Sequence, residues 1–510
     1  MNPATEPTAA RSARRWRNRF WLLVALLVTV PALVLLIAAI RFLPDRPVTY
    51  DDPAEHFKYG STGGERESGF PYWIWQVLPT VCAKHLPGKG YESLGMIFEP
   101  GKTLPVGVSQ RRNLGLDRVF LNCAACHVST VRASDTAEPK LYVGMPSHRL
   151  DLYAFERFFF NCAADPKFAA EYLVPEIDRA AGGIGPIDRY LVYPVAISLM
   201  RERLLMLKGR FSFVAESPPW GPGRVDTFNS AKALFAFPFE RLPVEEKRGA
   251  SDFPSVWLQA ARKQRDDGAP MQLHWDGNND RVEERNRSAA FGTGTTPPTI
   301  DMTAIGRIED WLLTLPPPDY PFPRDAALAA RGKPVYDRLC ADCHGASGRD
   351  FKGKLVGHIT PIADITTDRA RLDSYTYELA VNQATLYAGY DAASREPRFE
   401  RFRKTWGYAN MPLDGLWLRA PYLHNGSVPT LRDLLEPVEK RPKQFHRGND
   451  VYDPQRVGFV SNVAEANGHR FFPYDTTQAG NGNGGHSGAA YGTDLPAADK
   501  DALVEYLKGF

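Results

Sequence analysis

No segment limits the fold of this 510-residue chain more than a five-residue motif, C-x-x-C-H, that it contains twice. One copy is CAACH at residues 123–127, and the other is CADCH at residues 340–344. Two thiols at this spacing can each form a thioether with one of the two vinyl groups of a haem, and the histidine that follows can bind the iron. The motif therefore predicts a covalently attached c-type haem at each copy.

The motif assigns roles to six side chains: the cysteines would tether the haems, and the histidines would be metal ligands. They are Cys123, Cys126 and His127 in the first copy, and Cys340, Cys343 and His344 in the second. The alternatives are a redox dithiol, a zinc site or chance. A redox dithiol does not need the histidine, and a zinc site would need two pairs that converge, whereas these pairs lie 217 residues apart.

A membrane anchor is predicted near the N-terminus. Residues 20–40 form an uncharged, mostly apolar run of 21 residues, long enough as a helix to cross a bilayer of about 30 Å. Five arginines precede it. The positive-inside rule then gives a cytoplasmic basic stub over 1–19, a transmembrane anchor over 20–43 and a periplasmic body, single-pass in a bacterial inner membrane. A cleaved signal peptide is the alternative, but its apolar region is usually shorter, about 7–15 residues.

The distribution of charge disfavours nucleic acid as a partner. The chain has 62 basic and 59 acidic side chains, and five of the arginines against one glutamate fall in the first 19 residues. The body is therefore close to neutral, which disfavours nucleic-acid binding because that needs clustered Lys and Arg.

The domain division follows from proline. A proline-rich segment over 316–325 predicts a linker between a first c-type haem domain, 45–315 with an insertion, and a second, 326–510. Apolar residues recur at helical spacing around both motifs, while strand alternation is weak. With 42 glycines and 42 prolines, we expect a mainly α fold: two cytochrome c-like haem domains with long ordered loops, preceded by one transmembrane helix.

Two further cysteines, Cys82 and Cys162, lie outside the motifs. In an oxidising compartment they could form a disulfide. The alternative is two buried thiols, and the sequence slightly favours the disulfide.

A second axial ligand is predicted for one haem. His486 ends the segment GNGNGGH at 480–486, in which glycines let the backbone approach a large flat group. The alternative is a free linker, but the segment lies within a domain, just before a final amphipathic helix. His486 is therefore the predicted distal ligand of the second haem, with His469 and His446 as the next choices. The first haem has no equal candidate, since Met145 is more typical of a core.

The two motifs, the segment LRAPYLHNGSVPTL at 418–431 and the His486 segment resemble the bacterial di-haem cytochrome c peroxidase superfamily. The segment LHWDGNN at 273–279 and the C-terminal segment are similar to its di-haem rubber oxygenase branch. The resemblance covers most of residues 75–510.

The resemblance implies a reactive first haem, held by His127 as a catalytic group, and a six-coordinate second haem that relays electrons. It implies that Trp275 lies near both haems and mediates transfer between them. A packed core tryptophan is an equally common alternative. It further implies that Ala289, Ala290 and Phe291 line a distal pocket. Several relatives hold a calcium ion between the domains, and the sequence leaves open whether this chain does. Glu283 and Glu284 are expected in a solvated charge cluster instead of serving as a distal acid.

Three functions remain open at this point. The first is a peroxidase-like oxidoreductase in which electrons pass from the C-terminal haem to a reactive N-terminal haem. The second is a haem-dependent dioxygenase that cleaves an apolar, polyisoprene-like substrate. The third is an electron-transfer cytochrome without catalytic activity. The expected partners are a periplasmic or membrane electron carrier and peroxide, dioxygen or a small apolar substrate.

Overall fold

The computed structural model describes residues 8–386 and 399–510, with side chains from residue 12 onward. Helices dominate, and the longest are the 35-residue helix at the N-terminus and an 18-residue helix at Tyr193–Arg210. In the first part of the chain they are α1 (Thr8–Phe42), α2 (Pro53–Tyr59), α3 (Gly64–Glu67), α4 (Tyr72–Val81), α5 (Ala124–His127), α6 (Leu152–Ala164), α7 (Ala170–Ala180), α8 (Tyr193–Arg210), α9 (Phe213–Glu216), α10 (Thr227–Leu234), α11 (Val282–Gly292) and α12 (Met302–Thr314). In the second part they are α13 (Ala326–Leu339), α14 (Ala341–His344), α15 (Ile362–Ile365), α16 (Ala370–Ser374), α17 (Tyr377–Ala384), α18 (Leu431–Leu434) and α19 (Ala497–Leu507).

The strands are short and all pair antiparallel. They are β1 (Arg46–Pro47), β2 (Phe70–Pro71), β3 (Val108–Asn113), β4 (Leu116–Leu121), β5 (Val128–Val131), β6 (Lys140–Val143), β7 (Arg224–Val225), β8 (Ser251–Asp252), β9 (Ile359–Pro361), β10 (Gly407–Ala409), β11 (Gln444–Arg447), β12 (Tyr452–Asp453), β13 (Gly458–Phe459), β14 (Glu465–Ala466), β15 (His469–Arg470) and β16 (Phe472–Asp475). One sheet has four strands in the order β1-β3-β4-β2, and the others are two-stranded: β5/β6, β7/β8, β9/β10, β11/β16, β12/β13 and β14/β15.

Helix α1 extends beyond the predicted anchor into the basic stub. Its segment Ser12–Phe42 is long and apolar enough to cross a membrane, and it is not buried against the rest of the described chain. A signal sequence at an N-terminus would meet the same criterion. The helix begins earlier than residue 20 because Arg and Ala are strong helix formers.

The helices around the motifs form where the periodicity predicts them. In α6, Phe155, Phe159 and Cys162 are buried on one face, and the carboxylate of Asp151 accepts a hydrogen bond from the backbone N–H of Ala154 at the helix start. Helix α13 continues through Pro334 and packs against α19. At their contact, a Cβ on Gly332 would collide with the backbone carbonyl of Ala502, so glycine permits the close approach.

The hairpin of β3 and β4 was not expected from the weak alternation. Its turn residues, Leu114 and Gly115, both have positive φ, 52° and 76°. This is the backbone that matches the twist of a two-residue hairpin. Because the first turn residue is leucine, the sequence lacks the usual hairpin signal, which is Asn, Asp or Gly at this position.

A disulfide joins Cys82, just after α4, to Cys162 of α6, with the two Cα atoms 5.6 Å apart. Both cysteines are fully buried in a hydrophobic cluster formed by residues between Phe70 and Leu204. The structure thus selects the disulfide over two buried thiols.

The segment 316–325 is packed and is not a free spacer. The indole N–H of Trp417 donates to the carbonyl of Pro318 at 3.0 Å, and the Tyr320 hydroxyl donates to the carbonyl of Pro454 at 2.9 Å. One hydrophobic cluster contains Tyr142 and Trp257 from before this segment together with Trp417 from after it. The two parts of the chain therefore share a core, whatever their boundaries as domains.

Candidate haem-binding sites

The first C-x-x-C-H motif forms the single turn α5. The Nδ1 atom of His127 lies 2.9 Å from the carbonyl oxygen of Pro254. A carbonyl can only accept, so Nδ1 carries the proton and Nε2 keeps the lone pair that a metal needs. Burial lowers the pKa of His127 to about 4, which keeps the imidazole neutral at pH 7.

The second motif repeats this arrangement in α14. The Nδ1 atom of His344 lies 2.7 Å from the carbonyl oxygen of Met411, and burial lowers the pKa of His344. Both motif histidines are thus held by a distant backbone carbonyl in the same tautomer. That is the usual orientation of a metal-binding imidazole.

The four motif cysteines are not paired in disulfides. Burial raises the pKa of Cys123 to about 11 and those of Cys126 and Cys340 to about 12. A reactive redox C-x-x-C needs the opposite shift, toward thiolate. Neutral, half-buried thiols beside an oriented histidine fit covalent haem attachment better than a redox dithiol.

His486 lies opposite His344. The two ring centroids are 6.2 Å apart, with the planes inclined by 44°. Imidazole nitrogens bind transition metals at about 2 Å, and each ring adds about 1 Å from nitrogen to centroid, so two rings on one iron have centroids about 6 Å apart. The pair therefore has the spacing that a haem iron between the two rings requires.

The state of the His486 ring supports the same fit. Burial lowers its pKa to about 3, so it is neutral at pH 7. Its Nδ1 atom is buried and has no hydrogen-bond partner among the described residues. A buried imidazole nitrogen without a partner is costly, and a metal bound to that nitrogen would offset the cost.

The glycine- and asparagine-rich segment before His486 is held in place. The Arg441 guanidinium donates to the carbonyl oxygens of Asn483, Gly485 and His486 at 2.7–2.9 Å. A Cβ on Gly485, which has a φ of +81°, would lie 2.5 Å from the carbonyl oxygen of Ile365. The segment is therefore a packed loop and not a free linker.

The two other histidines considered for this position lie elsewhere. His469 is exposed on β15. His446 lies in β11, where its backbone N–H donates to the carbonyl of Ser461 at 2.7 Å. Within the described residues, only His486 has its ring paired with that of His344.

The surroundings of His127 differ. Over residues 8–386 and 399–510, no second imidazole is paired with its ring. Met145 is fully buried in the shared core, as its residue type suggested. Of the residues expected to line a distal pocket, Ala289 is exposed, Ala290 is buried, and Phe291 packs edge-to-face against Phe399 at 5.5 Å.

Two charged residues of α11 and α12 lie near the first motif. The positive charge of Arg285 contributes to the lowered pKa of His127, and the carboxylate of Glu309 contributes to the raised pKa of Cys123. Burial raises the pKa of Glu309 itself to about 7. Its Oε1 atom is buried without a hydrogen-bond partner in the described chain.

Trp275 forms hydrogen bonds with the two chain segments that orient the motif histidines. Its indole N–H donates to the carbonyl of Asp252 at 2.9 Å, two residues before the Pro254 that orients His127. Its own carbonyl accepts from the N–H of Ala409 at 2.9 Å, two residues before the Met411 that orients His344. Trp275 is half-buried between these segments, and its role in electron transfer stays a prediction.

Sequence reasoning missed several residues that shape the sites. Pro254 and Met411 act through backbone carbonyls, which leave no signature in a sequence. Glu284 was expected in a solvated cluster, but it is fully buried and accepts hydrogen bonds from the Asn279 amide and from the backbone N–H groups of Glu400 and Arg401. The prediction that Glu284 is solvated was wrong, because a carboxylate that accepts this many hydrogen bonds can be buried.

The segment APYLHNGS positions the sites as well. Its His424 is buried, with Nε2 3.0 Å from the Tyr408 hydroxyl on β10. The carbonyl of His424 accepts from the N–H of Asp252 at 2.9 Å, so this segment fixes the strand that holds Trp275. Among the described residues there is no cluster of three or more His, Cys, Asp or Glu side chains suited to a metal ion, so no residue can be named for a calcium site.

Comparison with known proteins points to the same cofactor class. Residues 407–446, from β10 to β11, match a family model described as RoxA-like, cytochrome c-like. The chain is 41% identical over 513 aligned positions to the uncharacterized protein y4iJ of Sinorhizobium fredii, covering 82% of this chain and 81% of y4iJ. It is also 34% identical over 240 residues to the uncharacterized protein y4iM of the same organism, covering 42% of this chain and only half of y4iM. The cytochrome c-like match supports a haem cofactor.

Proposed function

The chain belongs to the family of the Sinorhizobium protein y4iJ, and from this premise we propose that it is a membrane-anchored periplasmic c-type cytochrome oxidoreductase with one haem at each C-x-x-C-H motif. The RoxA-like, cytochrome c-like match supports the haem class. The apolar helix Ser12–Phe42 supports the anchor.

The difference between the two motif histidines carries the proposal. His344 faces His486 at 6.2 Å, whereas His127 has no imidazole counterpart in the described residues. When bound, a haem with two protein ligands supplies electron transfer, and one with a free or labile position supplies a site where a small molecule can react. The second site is therefore the relay, and the first site is the reactive one.

The chain's own residues prepare these roles. The carbonyls of Pro254 and Met411 hold both imidazoles with Nε2 available. Trp275 lies between the two supporting segments and is the proposed bridge for electrons from the second site to the first.

A peroxidase-like reaction needs a group that moves a proton near the reactive site. Glu309 supports this candidate because its carboxyl has a pKa of about 7 and an Oε1 atom without a partner in the described chain. Near neutral pH such a carboxyl can both hold and release a proton. Arg285, near His127, adds a positive charge that would favour an anionic substrate or leaving group.

A haem-dependent dioxygenase acting on an apolar substrate is the second candidate. The RoxA-like match favours it. A dioxygenase needs no external electrons in each turnover, so its demand on a relay site is smaller. The two enzymes therefore differ in whether a reduced carrier is consumed.

The test uses the purified full-length protein. We expect a pyridine haemochrome assay to give two c-type haems per chain, and cyanide or carbon monoxide to bind one iron only. The protein is then mixed with peroxide and a reduced carrier, and separately with oxygen and an olefin. Carrier oxidation with peroxide supports the peroxidase, and olefin cleavage without a carrier supports the dioxygenase.

Two results would contradict the proposal. Fewer than two haems per chain would remove the two-site scheme. If neither iron binds cyanide or carbon monoxide, both are six-coordinate, and the protein is an electron-transfer cytochrome. The Cys340→Ala/Cys343→Ala variant is the control, because it should lose only the haem that does not bind these ligands.

A further inference from the structure

A row of apolar side chains lies exposed on the helical segment that contains α8. A short π-helical turn, Asp188–Val192, leads directly into α8. The opposite face is buried, with Tyr193, Ile197 and Leu204 in the hydrophobic cluster around the disulfide. The exposed row, called here the Leu191 stripe, consists of Ile187 (56% exposed), Tyr190 (78%), Leu191 (59%), Val195 (49%) and Leu199 (61%).

The Leu191 stripe lies beside the end of α1. Arg41, near the C-terminal end of that helix, forms an ion pair with Asp188. The Phe42 ring packs against Gly115 in the β3–β4 turn, where an added Cβ would lie 2.5 Å from the ring. The neighbouring Leu114 and Leu43 are exposed, at 62% and 78%. Three separate segments thus present apolar side chains around one point, the exit of α1.

The sequence of α1 indicates how deep in a bilayer the exit of α1 would lie. The apolar run ends at Ile40, and Arg41 is the first charged residue after it. Since 21 helical residues span about 30 Å, a bilayer crossed by this run ends close to Arg41. Residues that contact Arg41 and Phe42 therefore lie at the height of the boundary between headgroups and acyl chains.

We propose that the Leu191 stripe, together with Leu114 and Leu43, is a membrane-docking surface whose occupant is the bilayer that α1 spans. This inference rests on the anchor in the proposed function. The stripe lies in the plane of the interface, as amphipathic interfacial helices do, and Tyr190 occupies the position where tyrosine is favoured. The contact holds the body in one orientation instead of leaving it to turn about a single helix.

A second copy of the chain would be another way to cover the stripe, but the bilayer is favoured by continuity. The stripe begins at the residue next to Asp188, which is paired with the anchor itself. A partner protein on this face would have to displace lipid from around α1. Lipid contact needs no additional component.

The test uses the full-length, haem-loaded protein in nanodiscs that hold a single copy. In the Leu191→Cys variant the introduced cysteine is labelled with nitrobenzoxadiazole, an environment-sensitive fluorophore. Val381→Cys is the matched control, since Val381 is 61% exposed on α17. We expect several-fold stronger quenching of the label at residue 191 by lipids with brominated acyl chains than of the label at residue 381. Equal, weak quenching at both positions would overturn the docking surface.

A second variant tests the stripe as a unit. Val195→Cys, labelled in the same way, is combined with Leu191→Glu and Leu199→Glu. We expect the quenching at residue 195 to fall several-fold, whereas Tyr377→Glu with Val381→Glu leaves it unchanged. A label at residue 195 that is shielded from water but not quenched by brominated lipid would indicate a protein contact and would overturn the proposal.

Failure of the anchor is distinguishable from failure of the docking surface. Flotation of the full-length protein with vesicles after a carbonate wash reports the anchor alone. A protein that floats but shows no quenching at residue 191 retains the anchor and loses the docking surface. A protein that does not float overturns both.

Discussion

The imidazole rings of His344 and His486 face each other across 6.2 Å, although 142 residues separate them in the sequence. Neither ring reaches the other directly, and the Nδ1 of His344 is already bound to the carbonyl of Met411. The distance between the ring centroids is that expected for two imidazoles bound to one metal ion from opposite sides. This relationship makes the second site the easiest place to test the cofactor scheme.

Replacing His486 with alanine should convert the second haem from low-spin to high-spin, because one of the two strong axial ligands is lost. The visible and electron paramagnetic resonance spectra of the oxidised protein measure the change. The haem content should stay at two, since both pairs of motif cysteines remain. His469→Ala is the control, and a spectrum that changes there but not in His486→Ala would assign the ligand to His469.

Replacing Trp275 with phenylalanine should slow electron transfer between the haems. The variant keeps an aromatic ring but loses the indole N–H that binds the carbonyl of Asp252. Flash photolysis of the carbon monoxide complex of the half-reduced protein would measure the transfer rate. Trp406→Phe, a 53% exposed tryptophan, serves as the control. An unaltered rate in Trp275→Phe would leave that residue with a structural role only.

Replacing Cys82 and Cys162 together with alanine should lower the free energy of unfolding. The disulfide closes a loop with a sequence separation of 80 residues, and removal of such a link costs about 2–5 kcal/mol. Denaturant unfolding followed by tryptophan fluorescence measures the loss. The haem spectra should be unchanged at low denaturant, because neither cysteine belongs to a haem motif. A loss under about 1 kcal/mol would mean that apolar packing maintains the cluster without the disulfide.

Glu156 should make stability fall as pH rises. Burial raises its pKa from the ordinary value of 4.5 to about 8, with Asp226 and Asp151 nearby. Between these two values the folded protein keeps a proton that the unfolded chain releases, so each step up in pH favours unfolding.

Glu156→Gln removes this proton equilibrium while keeping the shape of the side chain. At pH 8 the variant should be more stable than the wild type by about 1–3 kcal/mol, and at pH 4.5 the difference should vanish. Urea unfolding at a series of pH values measures both. Glu171→Gln, at an exposed position of α7, is the control. Parallel stability curves for Glu156→Gln and the wild type would contradict the shifted pKa.

Much of the helical structure could be predicted because its signals are local. The apolar spacing in α6, α12, α13 and α19 follows the helical period, and each of these faces is buried in the structure. His486 could be singled out because glycines mark a close approach of the backbone. The structure places it opposite His344, while its role as a ligand stays a prediction.

The remaining features depend on distant contacts that no local pattern records. Pro254 and Met411 orient the motif histidines through carbonyl groups that every residue has. Glu284 resembles its charged neighbours in sequence, and only the backbone N–H groups of Glu400 and Arg401, more than a hundred residues away, explain its burial. The Leu191 stripe also depends on tertiary structure, because the sequence alone does not show which face of this helical segment is buried and which is exposed.

The core that Tyr142 and Trp257 share with Trp417 has a consequence for how the molecule matures. The second part of the chain cannot complete its interior until the first part has been made and has reached it. We therefore expect a chain cut at the proline-rich segment to yield two insoluble fragments instead of two small cytochromes. Cys340 packs against this joint interior, so we expect haem attachment at the second motif to come before the interior closes.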